Sequence, residues 1–255
     1  MKISVVTVAL NNAATIESTL DSVALQTHKD IEHIVIDGAS TDGTIEIVQR
    51  RRGTVAKFVS ERDSGIYDAM NRGISLAGGE IIGFLNADDV YADSTVLQTV
   101  AETFDDPAVD ACYADLVYVD AGDLNQVVRY WKSRPFAPGL FGTGWMPAHP
   151  TFFVRNRVYK HCGNFDLSYR FAADFELTLR FLEKCRINAV YVPKIFVKMR
   201  LGGTSNKSLA NIINQNVAIY RACRQHGVPI ALLPFAVRKL LGKTHEFLSK
   251  PGDER

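Results

Sequence analysis

Two adjacent carboxylates stand directly behind a predicted buried strand. Asp88 and Asp89 follow the apolar run 81–85 in the sequence Asn86-Ala87-Asp88-Asp89. In an open α/β sheet, ligands bind outside the carboxyl ends of the strands, and carboxylate oxygens there suit Mg²⁺ or Mn²⁺. The same side chains could instead cap a turn or the following helix. The local sequence leaves both interpretations open.

A second acid ends another predicted strand. Asp37 follows the apolar stretch 31–36, and the first predicted strand ends between Thr7 and Asn11. Because parallel strands end at the same edge of a sheet, we expect Asp37 and Asp88 to approach one another. Structural chance explains one acidic strand end more easily than two, so the pair favours a ligand site.

No phosphate-binding loop accompanies these acids. Neither GxxxxGK[ST] nor GxGxxG follows the first predicted strand. P-loop enzymes and ordinary dehydrogenases are therefore not indicated. Carboxylates with a divalent metal are the alternative means of holding a diphosphate.

Strand and helix signals alternate through the first half of the chain. Strands are predicted at 3–10, 31–36, 55–59 and 80–85, and helices at 16–24 (with a start near Asn11-Asn12), 45–52, 67–77 and 96–104. This alternation predicts a mostly parallel sheet with helices on both faces.

The pattern changes after about residue 110. The predicted elements are a β-hairpin of 111–119 and 126–131, a long loop over 134–150, a helix at 174–184, short strands at 188–192 and 195–199, and two C-terminal helical segments after Gly202-Gly203.

Bulk properties describe an ordinary globular protein. The 255 residues are 47% apolar and 22% charged, enough for one large domain or one domain with a small appendage. The net charge of +1 gives no indication of nucleic-acid binding. The 4 scattered cysteines form no CxxC pair, which favours a reducing cytoplasm over a zinc site or a disulfide framework. We expect no signal peptide and no membrane span.

Several motifs, in order along the chain, resemble family 2 glycosyltransferases. They are Val5-Val6-Thr7 with Asn11-Asn12, then residues 36–44 (IDGASTDGT), 63–73 (DSGIYDAMNRG), 84–89 (FLNADD), 149–150 (HP), 171–177 (FAADFEL) and 200–205 (RLGGTS). The resemblance covers roughly the first four-fifths of the chain, more than one chance motif can explain. It is to bacterial enzymes that build exopolysaccharide, colanic-acid or O-antigen units.

The resemblance implies a fold and a reaction. The fold is a GT-A-like, Rossmann-like α/β fold: a mostly parallel sheet flanked by helices, with a small antiparallel hairpin and C-terminal helices. The transferase domain would cover 1–205, with a nucleotide-binding half (1–110) and an acceptor-binding half (111–205), followed by a helical segment (206–255). The reaction would move a sugar, with inversion, from a nucleotide donor, expected to be UDP-linked, to a hydroxyl of a lipid-linked or oligosaccharide acceptor. A nucleotidyltransferase and a non-catalytic sugar-nucleotide-binding protein are the alternatives.

The resemblance also assigns site residues. Asp174 matches the general base of inverting members, and Asp88 and Asp89 match the acidic motif that holds Mn²⁺ or Mg²⁺. Asn86 stands where many relatives have Asp, and an amide can accept a hydrogen bond but adds no charge. The expected donor-binding residues are Thr7, Ala9, Asn11, Asp37 (at the base edge), Asp63, Asp68, Asn71, Arg72, Asn86 and Asp88.

Structural roles are the alternatives for several of these residues. Asp174 could cap a helix, and the acids and Arg72 of segment 63–72 could form a solvated helix face. His149, Trp145 and Arg200 are candidates for acceptor or phosphate contacts. Their alternatives are a structural histidine, a loop anchor and a strand-end charge.

The segment 228–248 combines apolar residues with Arg238, Lys239 and Lys243. It could lie on an anionic membrane surface or pack as a helix on the body of the protein. The expected partners are therefore a nucleotide sugar, a glycan or polyprenyl-diphosphate-linked acceptor and, in the first case, the inner membrane surface. The expected location is cytoplasmic, either free or peripheral on that membrane.

Overall fold

The computed structural model describes residues 1–202 and 209–230. The strands are β1 (Ile3–Ala9), β2 (Ile31–Asp37), β3 (Lys57–Ser60), β4 (Ile81–Phe84), β5 (Asp89–Tyr91), β6 (Ala111–Val119), β7 (Val127–Trp131), β8 (Phe153–Arg155) and β9 (Ala189–Arg200). The helices are α1 (Ile16–Ala24), α2 (Thr44–Arg50), α3 (Ile66–Leu76), α4 (Val96–Thr103), α5 (Asn156–Cys162), α6 (Ala173–Leu179), which continues as a π-helical turn (Arg180–Lys184), and α7 (Leu209–Gln225).

The strands form one sheet in the order β3-β2-β1-β4-β8-β6-β9-β5, and β7 pairs with β6 beside it. The block β3-β2-β1-β4 is parallel, and β6 pairs with β9 in parallel along its whole length. The antiparallel pairs are shorter: β8 with β4 and β6, β5 with β9, and the predicted β6–β7 hairpin. The mostly parallel α/β sheet is confirmed.

Burial explains why the central strands are so apolar. Every residue of β1 is buried, as expected for a parallel strand that is covered on both faces. On one face, Met70 and Ile74 of α3 belong to the same core as Val6 and Ile34. On the other face, Leu97 and other residues of α4 pack with those alternate residues of β1 and β4 that point to this face.

Gly73 lets α3 approach β1 closely. A Cβ atom at this position would lie 2.3 Å from Cγ1 of Val6, so only glycine fits without a shift. The helix therefore lies directly on β1. Its first turn, which follows β3, stands at the carboxyl edge of the parallel strands.

The structure differs from the predicted elements in several places. The first helix begins at Ile16 and not near Asn11-Asn12. The residues before it form a turn, in which the carbonyl of Asn12 accepts hydrogen bonds from the N–H groups of Thr15 and Ile16. The two strands predicted at 188–192 and 195–199 are one strand, β9, whose pairing with β6 shifts register near Pro193. The three-residue strands β5 and β8 and the helix α5 were not predicted.

The described part of the C-terminal segment packs on the body of the protein. Ile219, Ala222 and Cys223 of α7 are buried in the core that includes α6. Most of the predicted membrane-contacting segment 228–248 lies outside the described residues. Within residues 1–202 and 209–230, no helix is long and apolar enough to cross a membrane. The boundaries at residues 110 and 205 stay predictions.

Candidate active site

The acidic turn (residues 86–89) lies at the carboxyl edge of β1 and β4. The chain leaves β4 at Phe84, turns, and re-enters the sheet at Asp89 as the start of β5. Backbone N–H groups of Leu85 and Ala87 donate to the carbonyls of Val6 and Val8 at 3.0 and 3.2 Å. These bonds to β1 hold the turn at the carboxyl edge of the strands, as predicted from the sequence.

Two buried oxygens of the acidic turn lack a hydrogen-bond partner. Asp89 is 1% exposed, and Nδ2 of Asn86 donates to its Oδ2 at 3.2 Å. Oδ1 of Asp89 and Oδ1 of Asn86 have no partner in the described part of the chain. Leaving a buried acceptor unpaired costs about 1–3 kcal/mol. Two such atoms side by side fit a bound cation.

The charges of the turn also fit a cation. Burial raises the pKa of Asp88, against the opposing charge of Arg200. The pKa of Asp89 is raised well above its ordinary value by burial and by the charge of Asp88. A divalent cation would stabilise both carboxylates in the ionised form.

The number of protein ligands suits a metal that is shared with a substrate. Among residues 1–202 and 209–230, no three His, Cys, Asp or Glu side chains are grouped as a metal site. The turn offers two carboxylates and one amide oxygen. Mg²⁺ sites commonly have one or two carboxylates and complete their coordination with water and substrate phosphates.

Arg200 ties the acidic turn to two other elements. It is the last residue of β9, and its guanidinium donates to the carbonyl of Asp88 at 2.7 Å and to Oγ of Ser18 in α1 at 3.0 Å. The structure thus places a positive charge beside the turn. A phosphate contact stays a prediction, and the alternative of a strand-end charge agrees with the position of Arg200 as the last residue of β9.

Asp174 lies in the first turn of α6 but does not cap it. The N-cap is Ala172, whose φ of +57° is left-handed. Oδ1 of Asp174 accepts hydrogen bonds from the Tyr67 hydroxyl at 3.1 Å and from the N–H of Phe175 at 2.9 Å. Among the described residues Oδ2 has no hydrogen-bond partner, and the side chain is half-buried, so the carboxylate has one fixed oxygen and one open oxygen.

An aromatic cluster (Tyr67, Phe84, His149 and Phe165) connects Asp174 with the acidic turn. The imidazole of His149 stacks on Phe84, with ring centroids 5.4 Å apart, and meets Phe165 edge to face at 5.5 Å. Burial lowers the pKa of His149, and the nearby charge of Asp174 opposes this. Phe84 precedes Asn86 by two residues, so the strand that leads into the acidic turn also contributes to this cluster.

The expected proximity of Asp37 and Asp88 is wrong. The strand β1 lies between β2 and β4, so these acids are separated by two strand spacings of about 4.8 Å each. Asp37 is fully buried and accepts hydrogen bonds from the N–H of Ser40 and from the hydroxyls of Ser40 and Ser60, at 2.9, 2.5 and 2.7 Å. A contact between Asp37 and a base stays a prediction.

The other residues predicted at the nucleotide edge fall into two groups. Thr7 and Ala9 are buried, and Oγ1 of Thr7 is hydrogen-bonded to Nε2 of His33 at 2.9 Å. Donor binding by the segment around Thr7 stays a prediction. Asn11 is exposed in a left-handed conformation with φ +55°. Asp63 lies over Gly38, with Oδ2 2.8 Å from where a Cβ atom would stand. Asn11 and Asp63 therefore stand where a nucleotide could reach them.

Asn71 is bonded to the backbone of Phe165. Its Nδ2 donates to the carbonyl of Phe165 at 2.9 Å, and its Oδ1 accepts from the N–H of Phe165 at 3.0 Å. Asn71 therefore holds Phe165 in place, and donor binding by Asn71 stays a prediction.

Asp68 and Arg72 brace the start of α3. Arg72 donates to Asp68 at 3.3 Å and to the carbonyl of Arg62 at 3.1 Å, and Asp68 accepts from the N–H of Ser64 at 3.0 Å. These local contacts favour the structural alternative, and donor binding by either residue stays a prediction.

Trp145 is packed as a loop anchor. Its ring stacks on Phe136 at 6.0 Å and meets Phe141 and Tyr113 edge to face at 5.5 and 6.0 Å. Three aromatic neighbours cover much of the indole, so the structure supports the anchor interpretation over sugar stacking.

Tyr67 and Phe165 were not singled out from the sequence. Tyr67 lies inside the recognised motif 63–73, which is a signal that could have found it. Phe165 lies in no motif, and its place beside Tyr67 follows only from the tertiary structure.

Comparisons with known proteins agree with this geometry. The family model "Glycosyl transferase family 2" matches residues 4–167. A PGL/p-HBAD biosynthesis glycosyltransferase of Mycobacterium bovis is 30% identical over 207 residues, which are 80% of this chain and 78% of that protein.

Two solved structures share the fold. TarS 1-349 of S. aureus in complex with UDP has a TM-score of 0.67 at 20% identity, over 100% of this chain and 77% of that one. The mannosyltransferase PcManGT of Pyrobaculum calidifontis, in complex with GDP-Man and Mn²⁺, has a TM-score of 0.60 at 20% identity, over 98% and 81%. The longer TarS chain is covered to 42%. From the family model and the mycobacterial relative together, this chain belongs to glycosyl transferase family 2.

Proposed function

We propose that the chain transfers a sugar from a nucleotide diphosphate donor, UDP-linked by expectation, to an acceptor hydroxyl, with a divalent metal and with inversion. One observation carries this proposal: the acidic turn, with its two unpaired buried oxygens, follows the strand whose Phe84 belongs to the same aromatic cluster as Tyr67, and Tyr67 bonds Asp174. The UDP complex of TarS and the GDP-Man and Mn²⁺ complex of PcManGT support the choice of ligands.

The acidic turn would hold the metal. Asp88, Asp89 and the amide oxygen of Asn86 are the ligands that the chain offers to Mn²⁺ or Mg²⁺. When bound, the metal supplies positive charge that stabilises the leaving diphosphate. The guanidinium of Arg200, already beside Asp88, adds a second positive charge near those phosphates.

Asp174 would be the general base. Its open Oδ2 takes the proton of the acceptor hydroxyl while the hydroxyl oxygen attacks the anomeric carbon. The bond from that carbon to the diphosphate breaks as the new glycosidic bond forms, and the nucleoside diphosphate leaves with the electron pair. A single displacement inverts the anomeric centre. The neutral His149 and its aromatic neighbours keep water away from one side of the base.

The proposed acceptor is a lipid-linked or oligosaccharide hydroxyl in the assembly of a cell-surface glycan. The name of the mycobacterial relative, a biosynthesis glycosyltransferase, is in line with such a role. Action in the cytoplasm, free or at the inner membrane surface, is part of the same proposal.

The substitution Asp174→Asn separates chemistry from binding. It removes the proton acceptor and keeps the size of the side chain, so we expect Mn²⁺-dependent UDP binding to persist while sugar transfer falls by about 10²–10⁴-fold. UDP binding is measured by calorimetry, and turnover by UDP release from UDP-sugars. Asp105→Asn, at an exposed position, is the matched control. Turnover of Asp174→Asn at the rate of the control would remove Asp174 from the role of base.

A further inference from the structure

We propose that Tyr67 is a positioning residue that holds Oδ1 of Asp174 and so orients the carboxylate, with Oδ2 left for the acceptor hydroxyl. This inference rests on the proposed function, because it concerns the group assigned there as general base. The role of Tyr67 differs from donor binding and metal binding, because Tyr67 acts on the general base.

The contact is direct and leaves the reacting oxygen open. The Tyr67 hydroxyl donates to Oδ1 of Asp174 at 3.1 Å. Burial, and then the Asp174 charge, raises the pKa of Tyr67 well above its ordinary value, so the phenol stays protonated and can donate. A donated hydrogen bond stabilises a carboxylate. Since Oδ1 is occupied, the acceptor hydroxyl meets Oδ2.

Tyr67 is itself held in place. Its ring stacks on Phe165, with centroids 5.5 Å apart and planes at 27°. Asn71, one helical turn after Tyr67 on α3, bonds both backbone groups of Phe165. The phenol therefore approaches Asp174 from a helix and a stacked ring whose positions are fixed by hydrogen bonds.

The other polar and charged groups around Asp174 do not replace this contact. His149, before β8, feels the charge of Asp174, but no hydrogen bond joins the two side chains among the described residues. Glu176 of α6 is engaged by Arg180 at 2.9 Å and by His226, which follows α7, at 2.7 Å. Oγ1 of Thr178 donates to the backbone carbonyl of Asp174. In the described part of the chain, Tyr67 is the side chain that donates to this carboxylate.

The substitution Tyr67→Phe tests the inference, since it deletes one oxygen and keeps the stacked ring. Tyr159→Phe is the matched control, because Tyr159 is buried in the same core and packs on Phe181, away from Asp174. The full chain is labelled with ¹³C at the aspartate carboxyls, and the Asp174 signal is identified by its loss in Asp174→Asn. The chemical shift of that signal needs no knowledge of the donor sugar.

We expect the chemical shift of the Asp174 signal to change in Tyr67→Phe, which removes the neighbouring hydroxyl, and to stay in place in Tyr159→Phe. In turnover of UDP-glucose, UDP-galactose or UDP-GlcNAc, kcat of Tyr67→Phe should fall by about tenfold, with KM and UDP affinity unchanged. An Asp174 signal and a kcat equal to those of the wild type would overturn the inference. That result would leave the proposed function intact, which fails separately if Asp174→Asn turns over normally.

Discussion

Asn86 gives the acidic turn a chemistry that an aspartate could not. The amide donates to the buried Oδ2 of Asp89, and its own oxygen stays unpaired. A carboxylate at position 86 has no hydrogen to donate. It would instead place a third negative charge beside Asp88 and Asp89. The amide thus stabilises the turn before a metal binds and still offers an oxygen ligand.

We therefore predict that Asn86→Asp destabilises the metal-free protein. The lost donor and the new like charge should lower the free energy of unfolding by about 1–3 kcal/mol, and Mn²⁺ should restore most of it. Urea unfolding with Mn²⁺ and with EDTA measures both effects. Asn125→Asp makes the same charge change at an exposed turn and should change neither value. A loss of stability that Mn²⁺ does not reverse would contradict the role given to this amide.

Sequence reasoning found part of the site at the scale of single residues. The rule that ligands bind at strand ends found Asp88 and Asp89, because both follow an apolar run directly. The same rule predicted that Asp37 lies close to Asp88, although β1 separates their strands. The order of strands in the sheet cannot be read from the sequence alone. The bond from Tyr67 to Asp174 joins residues 107 positions apart, and no local pattern encodes it.

Among the elements, α3 connects the two halves of the candidate site. The helix begins at the nucleotide edge, near Asp63. Its residue Tyr67 bonds Asp174 in α6, and its residue Asn71 bonds Phe165. Gly73 allows the short distance between this helix and β1. A change at Gly73 should therefore affect stability and the placement of Tyr67 together.

The substitution Gly73→Ala tests the packing of α3. A Cβ atom would lie 2.3 Å from Val6, and relieving this overlap should cost about 1–3 kcal/mol of unfolding free energy. The double variant Val6→Ala/Gly73→Ala should be more stable than the sum of the two single effects predicts, because it removes the clashing methyl groups. Urea unfolding of the four proteins measures this coupling. Strict additivity would show that α3 does not depend on this contact.

The elements themselves were largely predictable where their apolar patterns are long. The parallel strands and their helices agree with the prediction to within a few residues. The strands β5 and β8 have three residues each, too few to show a period. In β9, Pro193 interrupts the pattern, so one strand was predicted as two.

At the scale of the whole molecule, one sheet runs through both predicted halves. The strands β8 and β6 stand between β4 and β9, and β5 then closes the far edge beside β9. This order brings Arg200, at the end of β9, to the acidic turn that follows β4. The nucleotide edge and the candidate base are therefore parts of a single framework.

The helix α7 extends this framework beyond the family-model match. His226, next to its C-terminal end, bonds Glu176 of α6 at 2.7 Å, and Gln225 accepts from the hydroxyl of Tyr169 at 2.8 Å. These contacts support α6 on the side away from the sheet. The sequence predicted a C-terminal helix, but its packing on the candidate base helix depends on tertiary contacts alone.

The most direct test of the account is calorimetric titration of the full chain with UDP, once in Mn²⁺ and once in EDTA. The unpaired oxygens of the acidic turn predict that UDP binds at least about tenfold more tightly with the metal. Asp89→Asn should lose this difference, and Asp105→Asn should keep it. Equal UDP affinity of the wild-type chain in Mn²⁺ and in EDTA would contradict the claim that the acidic turn binds the donor through a metal.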